Sequence, residues 1–310
     1  MSDPWKADEP IKEENIINES ERDSANPEND EYKLVKLEDD GKISPEFFRT
    51  KITIVNLADS PFTYTPQPGL KFVKVQLWAG GGSGGVICNQ PRSSAGGSGG
   101  GGGGYFEWLF SADEIGASQT VTIGAGGASA VGSSVNGNSG GNTTFGSLLV
   151  VYGGGGGGQG NQFNNPDVYG AGGGGRLSKG TNGAASGSPR SGGDIASVFA
   201  GESHTRGELS GGGGSAFDSS TGNGGRAVYG GGGGGGARSA FFAGQGGNSL
   251  LGGNGGAGIR GASGFKADDG ETPSGGGGGC ADDTGSGGGS LTSMTSGKGG
   301  DGRAIITEYF

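Results

Sequence analysis

The sequence predicts an all-β fold: an antiparallel, jelly-roll-like β-sandwich with a long glycine-rich excursion of packed polyproline II helices, preceded by a disordered acidic N-terminus. Three observations carry this reading. All but two of the 81 glycines, Gly41 and Gly69, lie in residues 80–302. That span is entered by an alternating stretch at 71–78 (KFVKVQLW) and left by another at 303–310 (RAIITEYF), so a folded body holds it at both ends. Beyond residue 50 the apolar residues recur in short alternating runs broken by turn residues, without a helical period.

Glycine at this level also fits a disordered tract, because glycine loses more backbone entropy on ordering than any other residue and the chain is only 30% hydrophobic. The two bracketing strands favour order. Collagen is excluded: no G-X-Y register persists, and only Pro91, Pro166, Pro189 and Pro273 fall inside the span. The ordered option is a bundle of polyproline II helices. These have no internal hydrogen bonds, so neighbouring helices must satisfy each N–H and C=O, and they can come close only where side chains are missing.

Residues 1–31 read as a solvated acidic arm, either a plain tail or a peptide that docks on a partner. Residues 1–50 carry 15 acidic and 7 basic side chains, which places eight of the ten net negative charges there. The remaining body is nearly neutral and has no basic stripe, so nucleic acid is not an expected partner. Neither a membrane span nor a secretory signal is legible, and synthesis in a cytoplasm is expected. Residues 32–50 form a connector, alternating over 33–37 and turning at Asp40-Gly41.

The main domain is expected over 51–310, with its polyproline II insertion at about 153–302. Residues 51–55 and 62–65 alternate across the turn Asp59-Ser-Pro61. In 72–78, Val73, Val75 and Leu77 share one face, and Lys74 and Gln76 the other. Residues 105–110 align Phe106, Trp108 and Phe110; 120–123 alternate; 148–152 are continuously apolar; and 303–309 set Ile305, Thr307 and Tyr309 on one face. Because that last strand follows 148–152 by about 150 residues, using it to close the sheet brings the ends of the excursion together. Within the excursion a Val-Tyr pair three times leads a glycine run, at 151–152, 168–169 and 228–229. Runs of seven to nine residues reach about 22–28 Å at 3.1 Å per residue.

Catalysis and cofactors are not expected. G-x-G-x-x-G matches carry no information in such a chain, Gly297-Lys298 lacks the Ser or Thr of a P-loop, and His204 is the only histidine for a triad or metal site. The carboxylates of Asp268, Asp269, Glu271, Asp282 and Asp283 read as solvated loop residues without EF-hand spacing. Cys88 and Cys280 are expected as free thiols, a disulfide requiring that their loops meet.

Four pieces, 73–85 (VKVQLWAGGGSGG), 120–127 (TVTIGAGG), 140–146 (GGNTTFG) and 299–309 (GGDGRAIITEY), resemble in content and order the glycine-rich distal domains of bacteriophage tail fibres. More loosely, they resemble the tip adhesins of T-even-like phages. The connector at 33–48 is similar to the "Gly-Lys-Ile-Pro" segment ahead of such domains, with Ser44 set between Ile43 and Pro45. The resemblance implies a virion protein of the phage tail that binds a bacterial surface receptor, protein or glycan, through loops between glycine helices. It also implies attachment to other tail-fibre or baseplate proteins through the N-terminus, with a homotrimer as one assembly. The rivals are a fibre or baseplate connector without receptor contact and an ice-binding glycine-rich protein. Phe163, Phe199, Phe217, Phe241 and Phe242, with His204 and Arg206, are the expected receptor-binding residues, since aromatic groups between the runs offer contact area at little rotamer cost. Tyr169 and Tyr229 are expected to pack against glycine helices instead.

Overall fold

Glycine and alternating strands divide the labour in the computed structural model, which describes residues 50–87, 96–159, 170–183, 211–212, 214, 222–238, 243–261, 265–282 and 294–310. The acidic arm and nearly all of the connector lie outside these residues. The chain forms two units, residues 1–51 with 309–310, and residues 52–308; the second holds the features below.

The elements are β1 (Thr50–Asn56), β2 (Phe62–Tyr64), β3 (Phe72–Trp78), β4 (Val86–Ile87), β5 (Gly96–Gly97), β6 (Tyr105–Ser111), the single-turn α1 (Ala112–Ile115) and β7 (Gln119–Thr122). There follow β8 (Val131–Gly132), β9 (Ser134–Val135), β10 (Thr143–Phe145), β11 (Leu149–Val151), β12 (Ala237–Arg238), β13 (Ile259–Gly261), β14 (Cys280–Asp282), β15 (Met294–Thr295) and β16 (Arg303–Tyr309). Two four-stranded sheets, ordered β1-β16-β3-β6 and β11-β10-β7-β2, form the sandwich. The last strand closes the first sheet between β1 and β3, as the excursion geometry requires.

The inner faces follow the two-residue period. Val73, Val75 and Leu77 of β3 are buried and Lys74 and Gln76 half-buried. Opposite them Tyr64, Val121, Phe145, Leu149 and Val151 are buried. Phe145 lies 5.7 Å from the Tyr64 ring and 6.0 Å from Phe110. Between β10 and β11 the turn uses Gly146 at φ +53°, a left-handed conformation that side chains disfavour. In β16 the buried face is Ala304, Ile306 and Glu308, while Ile305 and Thr307 stay half-buried. Glu308 Oε1 accepts from the Tyr64 hydroxyl at 3.1 Å and from the Gln67 N–H at 3.4 Å. Burial, then the adjacent Glu308 charge, pushes the Tyr64 hydroxyl well above its ordinary pKa.

Three excursions leave one end of the sandwich: residues 79–104 between β3 and β6, 124–142 between β7 and β10, and 152–302 between β11 and β16. Together they make the glycine bundle, which therefore takes in more of the chain than the last excursion alone. Its hydrogen bonds have a period of three. Gly80 and Ser83 donate to Gly141 and Asn138, Gly81 and Gly84 to Gly300 and Gly297, and Gly82 and Gly85 to Gly101 and Ser98, at 2.8–3.2 Å. Each third of the segment thus faces a different neighbour, the signature of a polyproline II helix with three residues per turn. The carbonyls of the same segment accept from Gly127, Gly154 and Gly277 on three further neighbours. Residues 79–85, 96–104, 230–236 and 275–280 are each enclosed by six neighbours in this way, a honeycomb cross-section. Burial at the margin repeats with the same period: Gly124, Gly127 and Ala130 are buried, whereas Ala125 and Ala128 are exposed.

The spacing leaves no room for side chains. A Cβ on Gly82 would run into the Gly155 carbonyl, on Gly102 into that of Gly231, and on Gly234 into that of Gly277, each far inside van der Waals contact. Where a side chain does fit, it bonds to backbone: Ser83 Oγ accepts from Asn138 N–H at 2.8 Å and Ser98 Oγ from Gly158 N–H at 2.7 Å. At the margin, where a neighbour is missing, asparagines take its place. Asn182 Oδ1 accepts from Gly156 N–H at 2.9 Å and Asn136 Oδ1 from Gln159 N–H at 2.8 Å.

Replacing Gly82 by Ala is expected to cost about 3 kcal/mol or more, because the obstruction is backbone and not a movable side chain. Ala128→Ser, at an exposed position of the margin, should stay within about 0.5 kcal/mol of the wild type. Thermal unfolding followed by circular dichroism measures both; equal melting of the two variants would refute the packing described.

Candidate binding surface

The bundle has two unlike ends. At the sandwich end the helices turn or pass into strands. At the far end the glycine runs give way to residues with side chains, and short ladders form. β13, β14 and β4 pair in parallel, with Ile259 opposite Cys280 and Cys280 opposite Val86, and β9 joins β4 antiparallel. β12 pairs with β5 and β15 with β8. A small apolar cluster of Val86, Ala130, Ala267, Cys280 and Met294 fills the middle, with Val135 and Ile259 against it. The buried Cys280 thiol donates to the Thr295 carbonyl at 2.7 Å. Cys88 lies outside the described residues.

Because β4, β13 and β14 run the same way, the chain leaves the described residues side by side after Ile87, Gly261 and Asp282. Gln159, hydrogen-bonded to Asn136 and Ser134 beside β9, ends another helix here, and Gly170 resumes next to Gly99. Gly214 lies level with Gly99, Gly222 with Gly236, and Arg238 with Gly96. Gly183, bonded to Gly156, lies about midway, in a run that heads toward this end from Gly180, bonded to Gly153.

All seven expected binding residues fall outside the described residues: Phe163 in 160–169; Phe199, His204 and Arg206 in 184–210; Phe217 in 215–221; and Phe241 and Phe242 in 239–242. Of the described positions from which these four segments leave, Gln159 and Arg238 stand at the far end, while Gly183, level with Gly156, and Gly214, level with Gly99, stand about midway in runs that head toward it. Val131, 60% exposed, and Phe265, 48% exposed, also lie at this end, joined through Thr295, which pairs with Val131 and donates to the Phe265 carbonyl. Sequence reasoning passed over Val131, since a lone valine in a polar run carries no signal.

The other aromatic group joins the bundle to the sandwich. Tyr229 stacks on Tyr105 at 5.3 Å, Tyr105 tilts against Trp78 at 4.7 Å, and Trp78 Nε1 donates to the Tyr229 carbonyl at 2.8 Å. Tyr229, expected to pack against a glycine helix, has its ring on Tyr105 of β6; Tyr169 lies outside the described residues. On the outer face Gln76 Nε2 donates to the Tyr105 hydroxyl and to Glu107, both at 3.0 Å, and Tyr105 donates to Glu107. Lys74 pairs with Glu107 at 3.0 Å. Burial pushes the Tyr105 hydroxyl well above its ordinary pKa. For Glu107 partial burial pushes upward, but the hydrogen bonds from Tyr105 and Lys74 and the Lys74 charge outweigh it and hold the carboxyl below its usual range.

Two carboxylates of the acidic stretch make local contacts, and Asp283 lies outside the described residues. Asp269 pairs with Lys266 at 2.7 Å and accepts from Lys298 N–H at 2.7 Å, and Glu271 accepts from Asn254 N–H at 3.2 Å. Among the described residues no group of three or more metal-ligating side chains forms, and no helix is long and apolar enough to cross a membrane.

The arrangement defines a class: an all-β sandwich whose inter-strand connections are fused into a glycine-helix bundle. A glycine-rich domain family matches residues 57–309, which take in both the sandwich and the bundle, and the chain belongs to that family. No curated protein matches it.

The Glu107 network has a pH signature. With its folded pKa below the unfolded value, Glu107 stabilises the fold above the unfolded carboxylate pKa and loses that contribution as pH falls through the folded one. The Glu107 side chain is 42% exposed, so the contribution is held below about 1 kcal/mol by solvent screening. Comparing melting of wild type and Glu107→Gln from neutral to acid pH should show a gap that closes below the carboxylate range.

Proposed function

We propose that the protein is a phage tail-fibre or adhesin-type virion protein that binds a bacterial surface receptor, protein or glycan, through segments anchored at the far end of its glycine bundle. The carrying observation is that the described runs leading into the four segments that hold Phe163, Phe199, His204, Arg206, Phe217, Phe241 and Phe242 all head toward that one end, which Gln159 and Arg238 reach. The ordered tail-fibre-like pieces at 73–85, 120–127, 140–146 and 299–309 add to it.

The physical logic is that a glycine run offers a partner only backbone groups, and in the bundle those groups are already bonded to neighbouring helices. Discrimination therefore falls to the side chains between runs. Aromatic anchors supply contact area, and His204 and Arg206 supply donors for anionic sugars. A rigid honeycomb lowers the ordering cost of each contact, and several copies on one particle multiply weak contacts into avidity. The acidic N-terminal residues serve attachment to other tail proteins. Binding, without a chemical step, is the activity.

Exchanging 160–169, 190–206 and 239–242 for Gly-Ser sequence of equal length leaves every described bundle residue in place. Melting should change little, while binding to host cells falls by about 1–2 kcal/mol per aromatic anchor lost. Full host binding by the exchanged protein would replace this reading with that of a connector.

A further inference from the structure

We propose that two copies of this chain pair through β6, antiparallel and centred on Trp108. β6 is the free edge of the first sheet, seven residues long, and its register with β3 determines which backbone groups it leaves open. Ala79 N–H bonds to the Gly104 carbonyl and Ala112 N–H to that of Lys71, so the hydrogen-bonded pairs with β3 are those of Phe106, Trp108 and Phe110. The N–H and C=O groups of Glu107 and Leu109 consequently point away from the sheet, and among the described residues they meet no backbone partner. Trp108 is 49% and Leu109 54% exposed.

Sheet edges are ordinarily guarded by proline, lysine, brevity or an outward charge. The other edges are: β2 is three residues long between Pro61 and Pro66, β11 is three residues long, and β1 carries Lys51. β6 contains neither proline nor lysine. Its one charge, Glu107, is neutralised within the same sheet by Lys74 at 3.0 Å. The charges near its two ends are opposite, the Arg176 guanidinium 4.1 Å from the Phe106 ring and the Glu114 carboxylate on the Ser111 N–H, so an antiparallel second β6 sets each end against one of unlike charge.

The register follows from the groups left open. Ser111 N–H is already bound to the Glu114 carboxylate at 2.8 Å, which ends the usable edge. Pairing Glu107 with the Leu109 of the other copy, and Leu109 with its Glu107, uses each open N–H and C=O of these two residues once and sets no like charges opposite each other. Trp108 then faces Trp108 across the two-fold axis in a narrow pair, with Cα atoms about 4.5 Å apart. Such an isologous contact closes as a dimer.

Sedimentation of the full chain over a range of concentrations tests this, with Leu109→Lys as the guarded edge. The wild type should form a dimer, and Leu109→Lys should raise its dissociation constant by about ten-fold or more with melting unchanged. Trp108→Cys in a Cys88→Ser background should crosslink under mild oxidation, the pair spacing being within disulfide reach, whereas Ile54→Cys on β1 should not. A wild type that stays monomeric or forms a trimer, a Leu109→Lys chain that associates as tightly as the wild type, or equal crosslinking at 54 and 108 would overturn the proposal.

Discussion

Backbone hydrogen bonding without side chains is the constraint on which this structure depends. A polyproline II helix cannot satisfy its own amides, and burying an unpaired one costs about 1–3 kcal/mol. Residues 79–85, 96–104, 230–236 and 275–280 solve this only collectively, each giving and receiving bonds on six sides. That solution demands a separation at which a Cβ would strike a neighbouring carbonyl, so glycine content and bundle order are one fact. Apolar burial plays little part inside the honeycomb; it acts at the two ends, in the sandwich core and in the small cluster around Cys280 and Met294.

The sandwich solves the second problem, registration. Glycine runs alone could slide against one another by three residues without loss of hydrogen bonding. Strands such as β3, β6, β10, β11 and β16, whose side chains fix their own register, feed the runs at set heights. The seam of Trp78, Tyr105 and Tyr229 locks one returning run to the sheet. Serine and asparagine mark where the lattice is relaxed: Ser83 and Ser98 inside, Asn136 and Asn182 where a neighbour is missing.

Much of the sandwich was legible, for identifiable reasons. The alternation of Val73, Val75 and Leu77 against Lys74 and Gln76 assigns both faces of β3 from chemistry alone. In β16 both faces carry a large residue, and alternation could not tell that Glu308 goes inward, because its partner Tyr64 lies 244 positions away. Trp108 aligns with Phe106 and Phe110 as read, yet stays half exposed because edge position is a property of the sheet and not of the strand. The glycine runs announced a bundle, but not which run neighbours which, since identical residues carry no pairing information. The candidate binding residues were chosen for being aromatic or cationic between runs; the common direction of the runs that lead to them came only with the topology.

Amide hydrogen exchange resolved to residues 80–85, 100–104 and 231–236 tests the central claim most directly. If the honeycomb holds these segments as described, their glycine N–H groups exchange only through opening of the whole domain, as slowly as the amides of β3. Exchange at the rate of an unstructured chain, with β3 still protected, would show a folded sandwich carrying a loose glycine tract and would contradict the account.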